Sequence, residues 1–128
     1  MTAYLLDTHT LIWLTENDPT LPEPLKDLID TAETVYLSIA SLWEIAIKLQ
    51  LGKLSLQRPY ETIGSVIEVS DILLLPISFA DTVQIRNLAL YHRDPFDRML
   101  IAQAINQSLI IISNDKAFNA YPVERCWV

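Results

Sequence analysis

Tyr4-Leu5-Leu6-Asp7-Thr8-His9-Thr10-Leu11-Ile12-Trp13-Leu14 holds two hydrophobic periods with one acid between them. Tyr4 to Leu6 is a short, unbroken apolar run, and from Thr8 to about Glu16 the residues Leu11, Trp13 and Leu14 recur at helical spacing. The pattern predicts a strand, then a helix, with Asp7 at the junction. An apolar run without alternation belongs to a strand covered on both faces, which is the habit of parallel sheets.

The same unit repeats along the chain. Pro24 to about Ala32 reads as a helix after the breakers Asn17-Asp18-Pro19 and Pro22, and Val35-Tyr36-Leu37 as a second strand. Ser41 is placed to cap a helix running to about Leu51, and Gly52 to end it. A helix is expected over Pro59 to about Ser70, a strand over Ile72 to Leu75, and a helix from a Ser78 cap to about Tyr91. Asp94-Pro95 opens a helix that runs to about Gln107, with proline at its first position. Leu109 to Ile112 is a fourth strand and Val123 to Val128 a fifth. Strands alternating with helices predict a three-layer α/β/α sandwich around a parallel sheet of four to five short strands.

Bulk properties agree with one packed domain over residues 1–128, 51% hydrophobic and 20% charged, with two glycines and no repeat or linker. One cysteine, Cys126, leaves no internal disulfide, and MTAYLLDTH lacks the features of a secretion signal, so a cytoplasmic protein is expected. No apolar run approaches the roughly 20 residues of a membrane span. The net charge of −7 has the wrong sign for a surface that grips nucleic acid generally. Setting aside four clustered carboxylates leaves −3 of that −7, and two divalent ions would reverse the sign locally.

In such sheets, ligands bind beyond the carboxyl ends of the strands where strand order reverses. Asp7 follows the first strand and Asp115 the fourth, while Glu44 and Asp97 fall in the first turns of helices that begin at that edge. Four converging carboxylates need a neutralising cation. An all-oxygen set suits Mg²⁺ or Mn²⁺, one or two per site, and such ions serve phosphodiester hydrolysis. Each acid also has an ordinary reading. Asp7 and Asp94 suit N-caps, Ser41 to Glu44 matches a capping box, Lys48 pairs with Glu44 at i+4, and Asp115 suits a turn. His9 and His92 are too few and too far apart for a nucleophilic triad and are expected at the surface or behind the ligands. Trp13, Trp43 and Trp127 are expected in core or interface.

Leu-Leu-Asp7-Thr-His, Ser38-Ile-Ala-Ser-Leu-Trp-Glu44-Ile45, His92-Arg-Asp-Pro-Phe-Asp97-Arg-Met-Leu-Ile-Ala-Gln-Ala104 and Ser113-Asn114-Asp115 together closely resemble the PIN-domain family, VapC-type toxins above all. The resemblance implies a Mg²⁺- or Mn²⁺-dependent endoribonuclease. Its target would be cellular RNA such as tRNA or rRNA, cut by metal-activated water to leave a 3′-hydroxyl and a 5′-phosphate. It further implies a small VapB-like antitoxin partner. On this reading Asp7, Asp97 and Asp115 ligate the metal, and Glu44 either ligates it or orients the water. Asp94, Ser113 and Thr8 are supporting groups or partial ligands. Arg98 is a phosphate contact or an ion-pair partner of Asp94, and Lys48 a further phosphate contact. A homodimer is expected from the high apolar fraction. Two rivals remain: a degenerate PIN-like module that only binds, and a haloacid-dehalogenase-like phosphatase. The latter would require a second Asp where His9 stands.

Overall fold

The computed structural model describes residues 2–128. Five strands make one sheet: β1 (Ala3–Leu6), β2 (Thr34–Ser38), β3 (Leu73–Leu75), β4 (Ile110–Ile112) and β5 (Glu124–Cys126). All four pairings are parallel, in the order β3-β2-β1-β4-β5. The helices are α1 (Thr8–Glu16), α2 (Glu23–Thr31), α3 (Ile39–Gln50), α4 (Thr62–Val69), α5 (Phe79–Asn87) and α6 (Pro95–Gln107), and a 3-10 turn spans Lys116–Ala120.

Neighbouring residues of a strand point to opposite faces, so the central strands feed two cores. Leu5 and Ile111 pack with Leu100, Ile101 and Phe118, whereas Leu6 and Ile112 pack with Leu11, Leu25 and Ile45. Buried cores on both faces of a parallel sheet make the expected α/β/α sandwich.

Chain order places the site. After β1 the chain builds β2 and β3 on one side, then crosses to lay β4 and β5 on the other. The reversal lies at β1, where Leu6 is in register with Leu37 on one side and Ile112 on the other. Asp7, Ser38 and Ser113, the next residues of three adjacent strands, therefore begin in one row.

Three helix ends differ from expectation by three or more residues: α4 begins at Thr62 instead of Pro59, and the other two differences bear on the site. Helix α3 starts three residues early, capped by Ser38, whose Oγ accepts from Ala40 N at 3.0 Å. β2 runs straight into the helix, so Ser41 is already helical, and its hydroxyl lies 3.0 Å from that of Thr8. Glu44 thus sits in the second turn rather than the first, and no capping box explains it. The far end of α3 is as expected: Gly52 at φ 71° allows Lys53 N to reach Lys48 O at 2.9 Å and Gly52 N to reach Leu49 O at 3.2 Å. Helix α5 keeps its Ser78 cap but stops at Asn87 instead of near Tyr91. The Arg98 guanidinium takes the carbonyls of Ile85, Leu88 and Ala89 there, which competes with further helical bonding. Among the described residues, no helix is long and apolar enough to cross a membrane.

Candidate metal centre

Asp7 leaves β1 with its side chain divided between two tasks. Oδ1 accepts from Thr10 N at 2.8 Å, which caps α1, and Oδ2 accepts from the Ser113 hydroxyl at the end of β4. The same Ser113 Oγ accepts from Asp115 N at 2.9 Å, so one buried serine ties both acids to the β1–β4 seam. Asp7 is therefore a cap that also lines a cleft with Asp115. Asp115 also caps the 3-10 turn, accepting from Ala117 N at 2.9 Å, and remains exposed. Asp7 and Asp115 line a cleft of about 310 Å³ with His9, Trp13 and Asn114.

Glu44 lines an adjoining cleft of about 150 Å³, which shares His9. Its side chain is only 5% exposed and both oxygens are held: Oε1 by the Thr8 hydroxyl at 2.8 Å, Oε2 by Lys48 Nζ. Thr8 is thus a buried clamp on Glu44. The hydrogen bond that Lys48 donates to Glu44, with the charges of Glu44, Asp94 and Asp97, holds the Lys48 ammonium above the usual lysine range. Both expected readings of Lys48 remain compatible, because the i+4 pair points into the cleft rather than out to solvent.

Asp94 is the N-cap of α6, its Oδ1 accepting from Phe96 N at 2.8 Å and Asp97 N at 3.1 Å. Asp97, in the first turn, faces His92, whose Nε2 lies 2.8 Å from Oδ2. Burial above all, then the nearby Asp94 charge, pushes the Asp97 carboxyl up to about 6; Glu44 adds to the rise, and the His92 contact opposes it. Asp97, Asp115 and His92 each place one donor atom within 4.8 Å of the others. That span is close to twice a metal–oxygen bond of about 2.1 Å, so the three donors fit around one divalent ion.

Arg98 is not a phosphate contact in this arrangement, nor an ion-pair partner of Asp94. It is 8% exposed and turned inward. Its nitrogens donate to the carbonyls of Ile85, Leu88, Ala89 and His92 and to the Tyr121 hydroxyl. A guanidinium at a helix carboxyl end is stabilised by the carbonyls and the dipole there. Tyr121 completes the anchor, donating to Ala89 O at 2.7 Å and accepting from His92 N at 2.8 Å. Neither Tyr121 nor this use of Arg98 was legible from sequence, because the contacts join residues 6 to 32 positions apart without a periodic signal. The tryptophans divide: Trp13 packs on Trp127, while Trp43 is 59% exposed against Phe96.

A family model described as PIN domain matches residues 4–124. The chain belongs to the PIN-domain family. This membership displaces the phosphatase reading. No curated protein matches the sequence. Among solved structures, the PIN chain is similar to VapBC from Salmonella typhimurium bound to DNA, with a TM-score of 0.71, 19% identity and 98% of each chain covered. It is also similar to VapBC2 from Rickettsia felis bound to a promoter DNA fragment, with a TM-score of 0.70, 15% identity and 98% of each chain covered. VapC20 from Mycobacterium tuberculosis, a toxin that cleaves the sarcin-ricin loop, gives a TM-score of 0.63 at 12% identity, covering 92% of this chain and 94% of that one. At these identities the likeness establishes the PIN fold.

Proposed function

We propose that this PIN-domain protein is a Mg²⁺- or Mn²⁺-dependent endoribonuclease that acts as the toxin of a toxin–antitoxin pair. The observation that supports the reading is the gathering of Asp97 and Asp115 with His92, together with the tie of Asp7 to Asp115 through Ser113 where β1 and β4 meet; Glu44 lines the adjoining cleft. A pure scaffold has no use for a cluster in which Asp97 is forced up to about 6.

Asp97 and Asp115 would hold the ion, with Asp7 joining from the β1–β4 seam through its Ser113 link. A divalent ion supplies a water of lowered pKa and charge stabilisation at phosphorus. Glu44, oriented by Thr8 and Lys48, would align that water and take its proton. Lys48 and Lys53 line the cleft beside Glu44 and would meet phosphate oxygens, a local basic contribution within an acidic protein. Asp94 holds the start of α6, and with it Asp97, in place.

The antitoxin partner rests on the likeness to VapBC complexes. Self-association is favoured by apolar groups left in solvent, among them Phe79 at 83%, Leu90 at 74% and Tyr91 at 72% exposed. Sequencing of RNA 5′ ends after induced expression tests the proposal: new 5′-phosphate ends should appear with the wild type and be absent with Asp7→Asn. Equal ends in both strains would refute it.

A further inference from the structure

The acids account for only part of the donor set, since the third group within ligand distance of Asp97 and Asp115 is an imidazole. We infer that His92 is a direct nitrogen ligand of the metal, and that it biases the site toward Mn²⁺ and later transition ions at the expense of Mg²⁺. This rests on the metal-dependent reading above and deepens it.

An imidazole that merely oriented Asp97 would need no relation to Asp115, which arrives from the other side of the site after β4. Yet one atom from each of the three residues lies within 4.8 Å of the other two. The His92 segment is also unusually well held for a loop. Its backbone N–H donates to the Tyr121 hydroxyl at 2.8 Å and its carbonyl accepts from Arg98 at 3.2 Å. Its ring stands edge-on to the buried Phe118 at 6.4 Å between centroids. A buried arginine and a buried tyrosine, neither reaching the acids, thus converge on the segment that presents this ring. Such support fixes the imidazole where a ligand must be fixed.

The chemistry follows from the donors. The carboxylates of Asp97 and Asp115 balance one divalent charge, the neutral imidazole adds none, and Asp7 would contribute one further negative charge. Replacing one oxygen donor by nitrogen matters little to electrostatics but favours ions that bind imidazole well, whereas Mg²⁺ prefers oxygen and water. His92 must give up its hydrogen bond with Asp97 to bind, so both donors turn from each other to the ion.

The test is electron spin-echo spectroscopy of Mn²⁺ bound to the purified protein, with natural-abundance and ¹⁵N-histidine samples. A directly bound imidazole gives nitrogen modulation that changes with the label, persists in His9→Gln and disappears in His92→Gln. His9 is the necessary control because it lines the same cleft as Asp115. Titrations should show Mn²⁺ weakened in His92→Gln by at least the roughly tenfold that loss of an outer partner of a ligand already costs, with Mg²⁺ changed less. Mn²⁺ bound without histidine nitrogen coupling, or coupling that survives in His92→Gln, would overturn the inference and leave the nuclease reading standing. Failure of the wild type to bind Mn²⁺ at all would overturn both. The labelled wild type and His9→Gln decide the matter even if His92→Gln folds poorly.

Discussion

Asp97 carries an electrostatic strain of its own. Its carboxyl is raised from 3.8 to about 6, so the ionised form opposes folding. The sign follows from linkage: below pH 3.8 Asp97 is protonated both folded and unfolded and costs nothing; between there and about 6 the penalty grows, and above it the penalty is complete. At about 1.4 kcal/mol per pKa unit, screened at a side chain 22% exposed, this is on the order of 1–3 kcal/mol. Asp97→Asn should therefore melt with the wild type near pH 4 and several degrees higher at pH 7.5 without metal, at roughly 3–4 °C per kcal/mol. Added Mn²⁺ should reverse the order by stabilising only the wild type. Equal melting at both pH values would show that Asp97 carries no such strain. Glu44 differs, being already paired with a half-buried lysine. Glu44→Gln keeps the Thr8 hydrogen bond and loses an ion pair worth about 1 kcal/mol or less. Cleavage should fall by about two orders of magnitude or more, with melting almost unchanged. A fall in melting with normal cleavage would make Glu44 structural.

At the scale of elements, most segments were readable because each carries its own signal. Pro95 after Asp94 marks the start of α6, and Gly52 at positive φ marks the end of α3. What could not be read was the choice between equivalent signals. Ser38 and Ser41 are both competent caps, and only the length of β2 selects the first. That three-residue shift removes the capping-box explanation of Glu44. The end of α5 was hidden for another reason, since Arg98, 10 to 13 residues downstream, consumes its carbonyls. Arg98→Lys tests this directly: one ammonium cannot serve all five acceptors, so stability should fall by about 2–3 kcal/mol, with weaker cleavage as the His92 segment loosens. A surface phosphate contact would instead raise KM and leave melting alone.

At the scale of the molecule, the sheet was legible because its central strands are apolar on both faces, and the switch-point rule then pointed to the carboxyl edge of β1 and β4, where Asp7 and Asp115 line one cleft. Asp7 and Asp115 followed from strand ends alone. The grouping within the site did not. Glu44 is drawn toward Thr8 and Lys48, whereas Asp97 and Asp115 gather with His92, a residue expected at the surface or behind the ligands. Charge sums concealed the same point, since −7 overall says nothing of two lysines set beside Glu44.

The central claim is metal-dependent RNA hydrolysis at this edge, and purified protein tests it best. Structured RNA is incubated with metal-free wild type and Asp7→Asn, with and without Mn²⁺. Asparagine still caps helices, so Asp7→Asn should melt like the wild type. The account predicts cleavage to 5′-phosphate ends only by the wild type with Mn²⁺, with Asp7→Asn slower by more than about 100-fold. Cleavage without metal, or undiminished cleavage by a folded Asp7→Asn protein, would contradict it.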